Sequence, residues 1–159
     1  MIDKTDRQII ALLQNDARLS NAALAEEVGL TTSSVYERVK KLERKGVIKG
    51  YAAIVDAELL DKPITAFIRL TIDSYRDSYV ESKRSVTEVC LAEPDVLECH
   101  GVAGEDCYVL KVKVANPKEL EKLLERILSS APITRSTSSI VMSTFKETTV
   151  VTPAHNPDA

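Results

Sequence analysis

The chain has 159 residues, a formal net charge of −3, 44% hydrophobic residues and three cysteines. This length accommodates one ordinary domain or two small ones, and a change in sequence character near residues 56–63 favours two. No apolar run reaches about 18 residues and no secretory signal is recognisable, so we predict a cytoplasmic protein with no membrane partner. The odd, well-separated cysteines exclude a disulfide framework or a four-ligand zinc site, so we expect buried thiols and no metal cofactor.

Positive charge is concentrated in the N-terminal third. Residues 1–50 carry nine basic and seven acidic side chains, a net charge of +2, which leaves the other 109 residues at −5. The excess is largest in residues 37–49, where six basic side chains accompany two acidic ones. A phosphate-contacting surface is therefore expected in this segment.

Three short helices are predicted before residue 50. The first begins near Asp3 and Asp6, which serve as cap and first-turn charges, and runs to about Asp16, because isoleucines and leucines recur there at helical spacing. The second follows Ser20, a good N-cap, and ends at Gly29, a residue suited to the left-handed position after a helix. Together these segments form the first part of a three-helix domain.

The third helix follows the N-cap candidates Thr31 and Thr32 and ends near Lys45. Its valines and leucine recur at helical spacing and face inward, so its polar side faces outward. Short helices joined by turns of three or four residues are typical of a helix-turn-helix, whose second helix enters the DNA major groove. Taken alone, the same segment is equally compatible with a solvated helix stabilised by i,i+4 ion pairs, but the preceding helix favours the DNA-binding motif.

The candidate groove-facing residues lie mainly at the start and along the polar side of this third helix. Arg38 is the first candidate for reading bases, because its planar guanidinium can bond two acceptors of guanine at once. Lysines are better suited to phosphate, as point charges. The candidate DNA-binding residues are Ser20, Asn21, Thr32, Ser33, Ser34, Tyr36, Glu37, Arg38, Lys40, Lys41 and Lys45.

The remaining two thirds of the chain begin with strand character. Residues 46–56, rich in valine, isoleucine and tyrosine, are predicted as a strand that leads to a hinge. Alternating apolar and polar residues predict a half-buried strand over residues 64–72. A helix is predicted over residues 77–92. Its expected apolar residues are Val80, Val86, Val89 and Leu91.

A hairpin and a second helix complete the pattern. Strands over residues 96–102 and 107–114 flank a short acidic loop. Asn116 followed by Pro117 predicts the start of a helix with an apolar face, and a last strand is expected over residues 137–146. The order strand, helix, strand, strand, helix, strand is that of a ferredoxin-like domain.

We therefore predict an α+β protein with an N-terminal three-helix helix-turn-helix domain, a β-strand linker and a C-terminal ferredoxin-like βαββαβ sandwich domain. The expected bounds are 1–50 for the first domain, 51–63 for the linker or hinge, 64–150 for the second domain and 151–159 for a flexible tail. The alternation places Phe67 and Val109 on the sheet face away from the helices. A homodimer that covers this face is the economical expectation.

Nearly the whole chain resembles the leucine-responsive/asparagine regulator (Lrp/AsnC) family, also called feast/famine regulators. Residues 2–56 resemble the DNA-binding domain and connecting strand of that family in order and spacing, and ECHGVAGEDCYVLKV, residues 98–112, resembles the start of its effector-sensing core. The resemblance implies homodimers that assemble further, into tetramers or octamers. It also implies a small amino acid bound between dimers in the C-terminal domain.

The resemblance also implies which residues line the effector cleft: Gly104, Glu105, Asp106, Cys107 and Tyr108. Loop amides and a carboxylate can hold the α-carboxylate and α-amino groups that every amino acid shares. Many members of the family have an aspartate at the position of Cys107, so either Asp106 takes its role here or the ligand preference differs. Without the resemblance, the sequence of this loop favours an ordinary hairpin turn over a ligand site.

The predicted function is a sequence-specific DNA-binding transcription regulator, modulated by a small amino-acid effector. An enzyme is the first alternative, but the sequence has no phosphate-cradling glycine loop and no Ser/His/Asp or Cys/His arrangement. The second alternative is an architectural, nucleoid-type DNA-binding protein whose C-terminal domain only oligomerises. The sequence alone does not separate the two DNA-binding hypotheses.

Overall fold

The computed structural model describes residues 2–73 and 79–153. The chain divides into two compact units, the first formed by residues 1–54 with residues 146–159 and the second by residues 55–145. Each unit has its own hydrophobic core. No helix within the described ranges is both long and apolar enough to cross a membrane.

The first unit contains the three predicted helices. They are α1 (Lys4–Asn15), α2 (Asn21–Val28) and α3 (Thr32–Arg44). Asp3, Ser20 and Thr31 cap them, because the side-chain oxygen of each accepts a hydrogen bond from the backbone N–H three residues further on. All three caps are residues at which the sequence predicts a helix to begin.

A three-residue turn joins α2 to α3. Gly29 adopts a φ of 68°, a left-handed conformation that costs glycine little, and the N–H of Leu30 donates to the carbonyl of Ala25 at 3.0 Å. This geometry directs α3 across α2 so that both bury apolar residues against α1. The buried residues of this core are Ile9, Leu13, Leu24, Ala25, Val35, Val39 and Leu42.

The second unit is a four-stranded antiparallel sheet with two helices. Its elements are β1 (Ile64–Ile72), α4 (Tyr79–Ala92), β2 (Val96–Gly101), β3 (Tyr108–Val114), α5 (Pro117–Leu128) and β4 (Ile133–Ile140). The strands lie in the order β2-β3-β1-β4, with β1 and β3 in the centre. The ferredoxin-like prediction is thus confirmed.

Alternation along the central strands builds the second core. Ala66, Ile68, Leu70 and Ile72 of β1 are buried, as are the alternate residues of β3 that begin at Tyr108. The helices pack on these residues. α5 contributes a stripe of buried Leu120, Leu123 and Ile127, as its sequence spacing predicts.

The predicted apolar face of α4 is partly wrong. Val80 and Leu91 are each 78% exposed, because the stripe that faces the sheet is formed by Ser82, Val86 and Cys90 at a spacing of four. The predicted start of this helix at residue 77 lies outside the described residues. Cys90 is a buried thiol as expected, whereas the other two cysteines are only half-buried.

Two predicted strands differ from the structure. Residues 46–56 form no strand, because no strand among the described residues pairs with them, and Ile54 is 91% exposed. Residues with high β-propensity form a strand only where a neighbouring strand provides backbone hydrogen bonds. The last strand spans Ile133–Ile140 rather than residues 137–146, because it pairs along β1 from Ile72 to Ala66.

The sheet face away from the helices, called the outer face below, carries Phe67 and Val109, as the alternation predicts. These two residues do not form a continuous apolar surface. Lys111, which is paired with Phe67 across the strands, also lies 3.5 Å from Glu98. The outer face is therefore a mixture of apolar and charged side chains.

The end of the described chain packs on α1. The side-chain amide of Gln14 donates to the carbonyl oxygen of Val151 at 3.1 Å, and the N–H of Val151 donates to Gln14 Oε1 at 2.7 Å. This two-point contact makes residues 146–153 part of the first unit. The remainder of the predicted tail, residues 154–159, lies outside the described residues.

Candidate functional site

One side of α3 is buried and the other faces solvent. Val35, Val39 and Leu42 turn toward α1 and α2, which leaves the polar residues outside. The exposed candidates from the sequence are Thr32, Ser33, Ser34, Tyr36, Glu37, Lys40, Lys41 and Lys45. This arrangement suits a helix that lies in a groove of duplex DNA.

Arg38 does not project freely from this surface. Its Nη1 atom lies 2.6 Å from a carboxylate oxygen of Asp3 and 2.6 Å from one of Asp6, and Asp6 is only 1% exposed. These bonds raise the pKa of Arg38, while the backbone N–H of Asp6, aided by Arg38, lowers the pKa of Asp3. The side chain that sequence analysis favours for base recognition therefore joins α3 to α1.

Lys40 is also partly engaged. Its ammonium bonds Glu43 at 3.1 Å and lies 5.9 Å from the centre of the Tyr36 ring, and the Tyr51 hydroxyl donates to Glu43 at 3.1 Å. Lys40 and Tyr51 together lower the pKa of Glu43. Lys40 is therefore less available to a phosphate than its exposure alone indicates.

The accessible positive charge lies further along α3. Glu37, Lys41 and Arg44 follow one another at spacings of four and three residues and line a shallow depression together with Leu30 and Ser33. Lys45 is exposed immediately after the helix. Arg44 is absent from the sequence-based candidates, although its position seven residues after Glu37 on the same helix face is a signal that could have identified it.

The start of α3 presents a group of hydroxyls. The Thr31 hydroxyl donates to Ser34 Oγ at 2.8 Å and accepts the backbone N–H of Ser34 at 3.2 Å, and it lies 3.1 Å from Ser33 Oγ. The first N–H groups of a helix have no partner within the helix and point outward, which favours an anion such as phosphate. Ser20 caps α2 through the N–H of Ala23 at 3.1 Å, and the adjacent Asn21 is half-buried.

The second candidate region is the loop between β2 and β3, residues 102–107. Gly104 has a φ of 140°, which side chains rarely adopt, so this turn requires glycine. The loop is anchored by backbone bonds, with the N–H of Cys107 donating to the Leu70 carbonyl at 2.8 Å and that of Val102 donating to the Cys107 carbonyl at 3.0 Å. The Thr71 hydroxyl also donates to the Glu105 carbonyl at 3.3 Å.

Two arginines of the outer face surround the acidic side chains of this loop. Arg135 Nη2 lies 3.1 Å from Asp106 Oδ1 and 3.7 Å from Glu105 Oε2, and Arg69 Nε lies 4.0 Å from Asp106 Oδ2. Neither arginine is among the sequence-based candidates. Each comes from a strand that is distant in sequence, so no local motif connects it to the loop.

The other two predicted loop residues are placed differently. The Cys107 thiol is half-buried and lies 4.0 Å from the Ile72 carbonyl oxygen. The ring of Tyr108 is buried among the helices, and its hydroxyl donates to the Lys83 carbonyl at 3.1 Å. Tyr108 therefore faces the helices, whereas Asp106, which lies in the loop before β3, contacts arginines of the outer face.

The remaining polar chemistry of the described residues indicates no further site. No group of three or more His, Cys, Asp or Glu residues in those ranges could hold a metal ion. Burial raises the pKa of Cys90 to about 12 and also raises the pKa of Cys99, so both thiols remain protonated at neutral pH. Neither is an activated nucleophile.

Comparison with known proteins identifies both halves of the chain. Residues 2–49 match the family model for winged helix-turn-helix DNA-binding domains, and residues 65–151 match that for the Lrp/AsnC ligand binding domain. The chain belongs to the Lrp/AsnC family. Lrp/AsnC proteins are DNA-binding transcription regulators, so this chain is one as well.

Named Lrp/AsnC relatives match almost end to end. The chain is 38% identical to the DNA-binding transcriptional activator DecR of Escherichia coli over 94% of this chain and 97% of DecR. It is 35% identical to the leucine-responsive regulatory protein of Haemophilus influenzae, over 92% of this chain and 87% of that protein. These relatives are transcriptional regulators.

Solved structures of Lrp/AsnC proteins share the same fold. A transcriptional regulator from Neisseria meningitidis, in complex with L-methionine, superimposes with a TM-score of 0.86 and 30% identity over 95% of this chain and 96% of that one. A feast or famine regulatory protein from Mycobacterium tuberculosis, also complexed with L-methionine, has a TM-score of 0.84 and 33% identity, with coverage of 96% and 100%.

Proposed function

We propose that this regulator recognises a specific duplex sequence through the exposed side of α3 and changes its DNA binding when an α-amino acid occupies the loop of residues 102–107. The observation that carries the DNA-binding half is the division of α3 into a buried apolar stripe and an exposed polar side with accessible Lys41, Arg44 and Lys45. That division matches the groove-reading helix of a helix-turn-helix.

We assign different tasks to the residues of this surface. Ser33, Tyr36 and Glu37 face the base edges, where the Glu37 carboxylate can accept a hydrogen bond from the amino group of cytosine. Lys41, Arg44 and Lys45 contact phosphates. Arg38 acts as a positioning residue that holds α3 on α1, and Ser20 orders the start of α2.

The double substitution Lys41→Ala/Lys45→Ala is expected to weaken binding to every duplex by a similar factor. Each phosphate contact contributes about 0.9 to the slope of log affinity against log salt, so losing two contacts lowers the magnitude of the slope by about 1.8. Fluorescence anisotropy with a labelled mixed-sequence duplex, repeated over a range of salt concentrations, measures this slope. Lys118→Ala, an exposed lysine of α5, is the matched control.

An unchanged salt slope in the double variant would contradict the assignment of phosphate contacts to α3. Sequence preference is tested separately by selection from a random duplex library. Glu37→Gln is expected to change the selected sequence at one position, because it replaces a carboxylate acceptor by an amide that can also donate.

The effector half of the proposal is supported by the relatives that bind L-methionine and by the shape of the loop. Gly104 allows a tight turn whose backbone N–H groups can bind an α-carboxylate, and Asp106 supplies a negative charge for the α-ammonium group. These are the groups that hold the α-ammonium and α-carboxylate of an amino acid. No metal or other cofactor is required for this recognition.

L-methionine and the other proteinogenic L-amino acids are expected to differ in their effect on thermal unfolding. An amino acid that binds only the folded protein raises the melting temperature, and the rise grows with the logarithm of its concentration. Differential scanning fluorimetry with the panel measures the effect, and the D-enantiomer of the strongest ligand is the control. If no amino acid raises the melting temperature, the architectural hypothesis replaces the ligand-responsive one.

We further propose that a second copy of the chain covers the outer face of the sheet around Phe67, and that the end of β1 beside the loop of residues 102–107 remains open to the effector. The half-exposed Phe67 and the adjacent Val109 support this assembly, and the mixed charges around them can pair between copies. A two-fold dimer presents two copies of α3 to half-sites about 34–36 Å apart, which fits a palindromic DNA site. Tetramers or octamers would then arise from contacts between dimers.

A further inference from the structure

The two arginines beside the effector loop hold their carboxylate partners unequally. Arg69 lies opposite Thr137, and Arg135 lies opposite Thr71 on the neighbouring strand, so both guanidiniums lie on the outer face at the same end of β1. Asp106 lies between them and is only 21% exposed. The contact between Arg135 and Asp106, at 3.1 Å, is a charge-assisted hydrogen bond.

Glu105 is the weaker partner in this group. Its side chain is 90% exposed, and its carboxylate lies 3.7 Å from Arg135, beyond hydrogen-bond distance. A pair exposed to this extent contributes little free energy, because water solvates both charges. Glu105 can therefore leave Arg135 at almost no cost, whereas Asp106 cannot.

Arg135 has more hydrogen-bond donors than its contact with Asp106 uses. A guanidinium carries five N–H groups in one plane and can hold two carboxylates at once. With Asp106 retained and Glu105 displaced, the cluster consists of two cations and one anion, so it has an unmatched positive charge beside a negative one. A zwitterion with adjacent carboxylate and ammonium groups complements this arrangement.

Building on the proposed function, we propose that Arg135, assisted by Arg69, receives the α-carboxylate of the amino-acid effector, and that Glu105 occupies this position when no effector is bound. Asp106 remains on Arg135 and accepts the α-ammonium group. Glu105 thus competes with the ligand rather than contacting it. The site selects amino acids with a free carboxylate and rejects amino alcohols with the same side chain.

The test uses the amino acid that stabilises the wild type most strongly in the thermal panel, together with its amino alcohol. Isothermal titration calorimetry of Arg135→Gln is expected to give an affinity for the amino acid about tenfold to a hundredfold lower, the loss that corresponds to a charged hydrogen bond. Glu105→Gln keeps the shape but removes the charge, and is expected to raise the affinity severalfold. Arg84→Gln, an exposed arginine of α4, is the matched control.

The comparison of ligands does not depend on any variant. The wild type is expected to bind the amino alcohol at least tenfold more weakly than the amino acid. Equal binding of the two ligands, or unchanged affinity in a folded Arg135→Gln protein, overturns the assignment while the proposed effector function stands. Weaker binding in Glu105→Gln overturns the role of Glu105 as a competitor. If no amino acid binds the wild type, the effector function itself fails and this assignment fails with it.

Discussion

Arg38→Ala is expected to destabilise the first unit by about 2–3 kcal/mol, because it leaves the buried carboxylate of Asp6 without its cationic partner. Asp6 is 1% exposed, and its second oxygen keeps a 3.3 Å contact with the backbone N–H of Asp3. The loss should appear as faster hydrogen exchange of the amides of α1 and α3. The amides of the second unit report whether the effect is confined to the first.

Arg44→Ala is the control for this prediction, because Arg44 is exposed on the same helix. Arg44→Ala should leave hydrogen exchange unchanged and weaken DNA binding. Arg38→Ala, in contrast, should lower the stability of the first unit and so accelerate hydrogen exchange. Equal stability of Arg38→Ala and the wild type, combined with a loss of sequence preference, would restore Arg38 as a base-reading residue.

Ile68→Ala is expected to lower the free energy of unfolding of the second unit by about 2–5 kcal/mol. Ile68 is fully buried in the central strand β1, between Leu110 of β3 and Ser138 of β4. The neighbouring strands fix the backbone, so the cavity cannot close by a small shift. Chemical denaturation followed by circular dichroism measures the change.

Leu91→Ala removes an exposed side chain with the same number of carbon atoms from the same unit and serves as its control. Leu91 is on the solvent side of α4, so its truncation should change stability by less than about 0.5 kcal/mol. If Leu91→Ala lowers the free energy of unfolding as much as Ile68→Ala does, this side of α4 is covered by another copy of the chain in the folded assembly.

Local chemistry explains why most of the fold is predictable from the sequence. Helix starts follow from side chains that cap a nearby N–H, as at Ser20 and Thr31, and the left-handed turn after α2 follows from Gly29. The inward face of β1 follows from alternation within nine residues. Each of these signals acts within a few residues of the structure that it determines.

Contacts between distant segments account for what the sequence does not reveal. The partners of Arg38 are 32 and 35 residues away, in α1 and at its N-cap, and Arg135 contacts Asp106 across 29 residues. A single sequence contains no local pattern for such pairs, so Arg38 resembles a free groove-reading side chain. The bounds of β4 likewise depend on β1, which determines how far the pairing extends.

The contact between Gln14 and Val151 has a consequence for how the protein can be divided. The polypeptide passes between the two units twice, once after residue 54 and again before residue 146. A single proteolytic cut in the first passage would leave the N-terminal helices joined by hydrogen bonds and packing to a peptide that is still covalently attached to the sheet. A recombinant fragment that stops near residue 54 would lack this peptide, and the amide of Gln14 would then have to exchange its two backbone bonds for water.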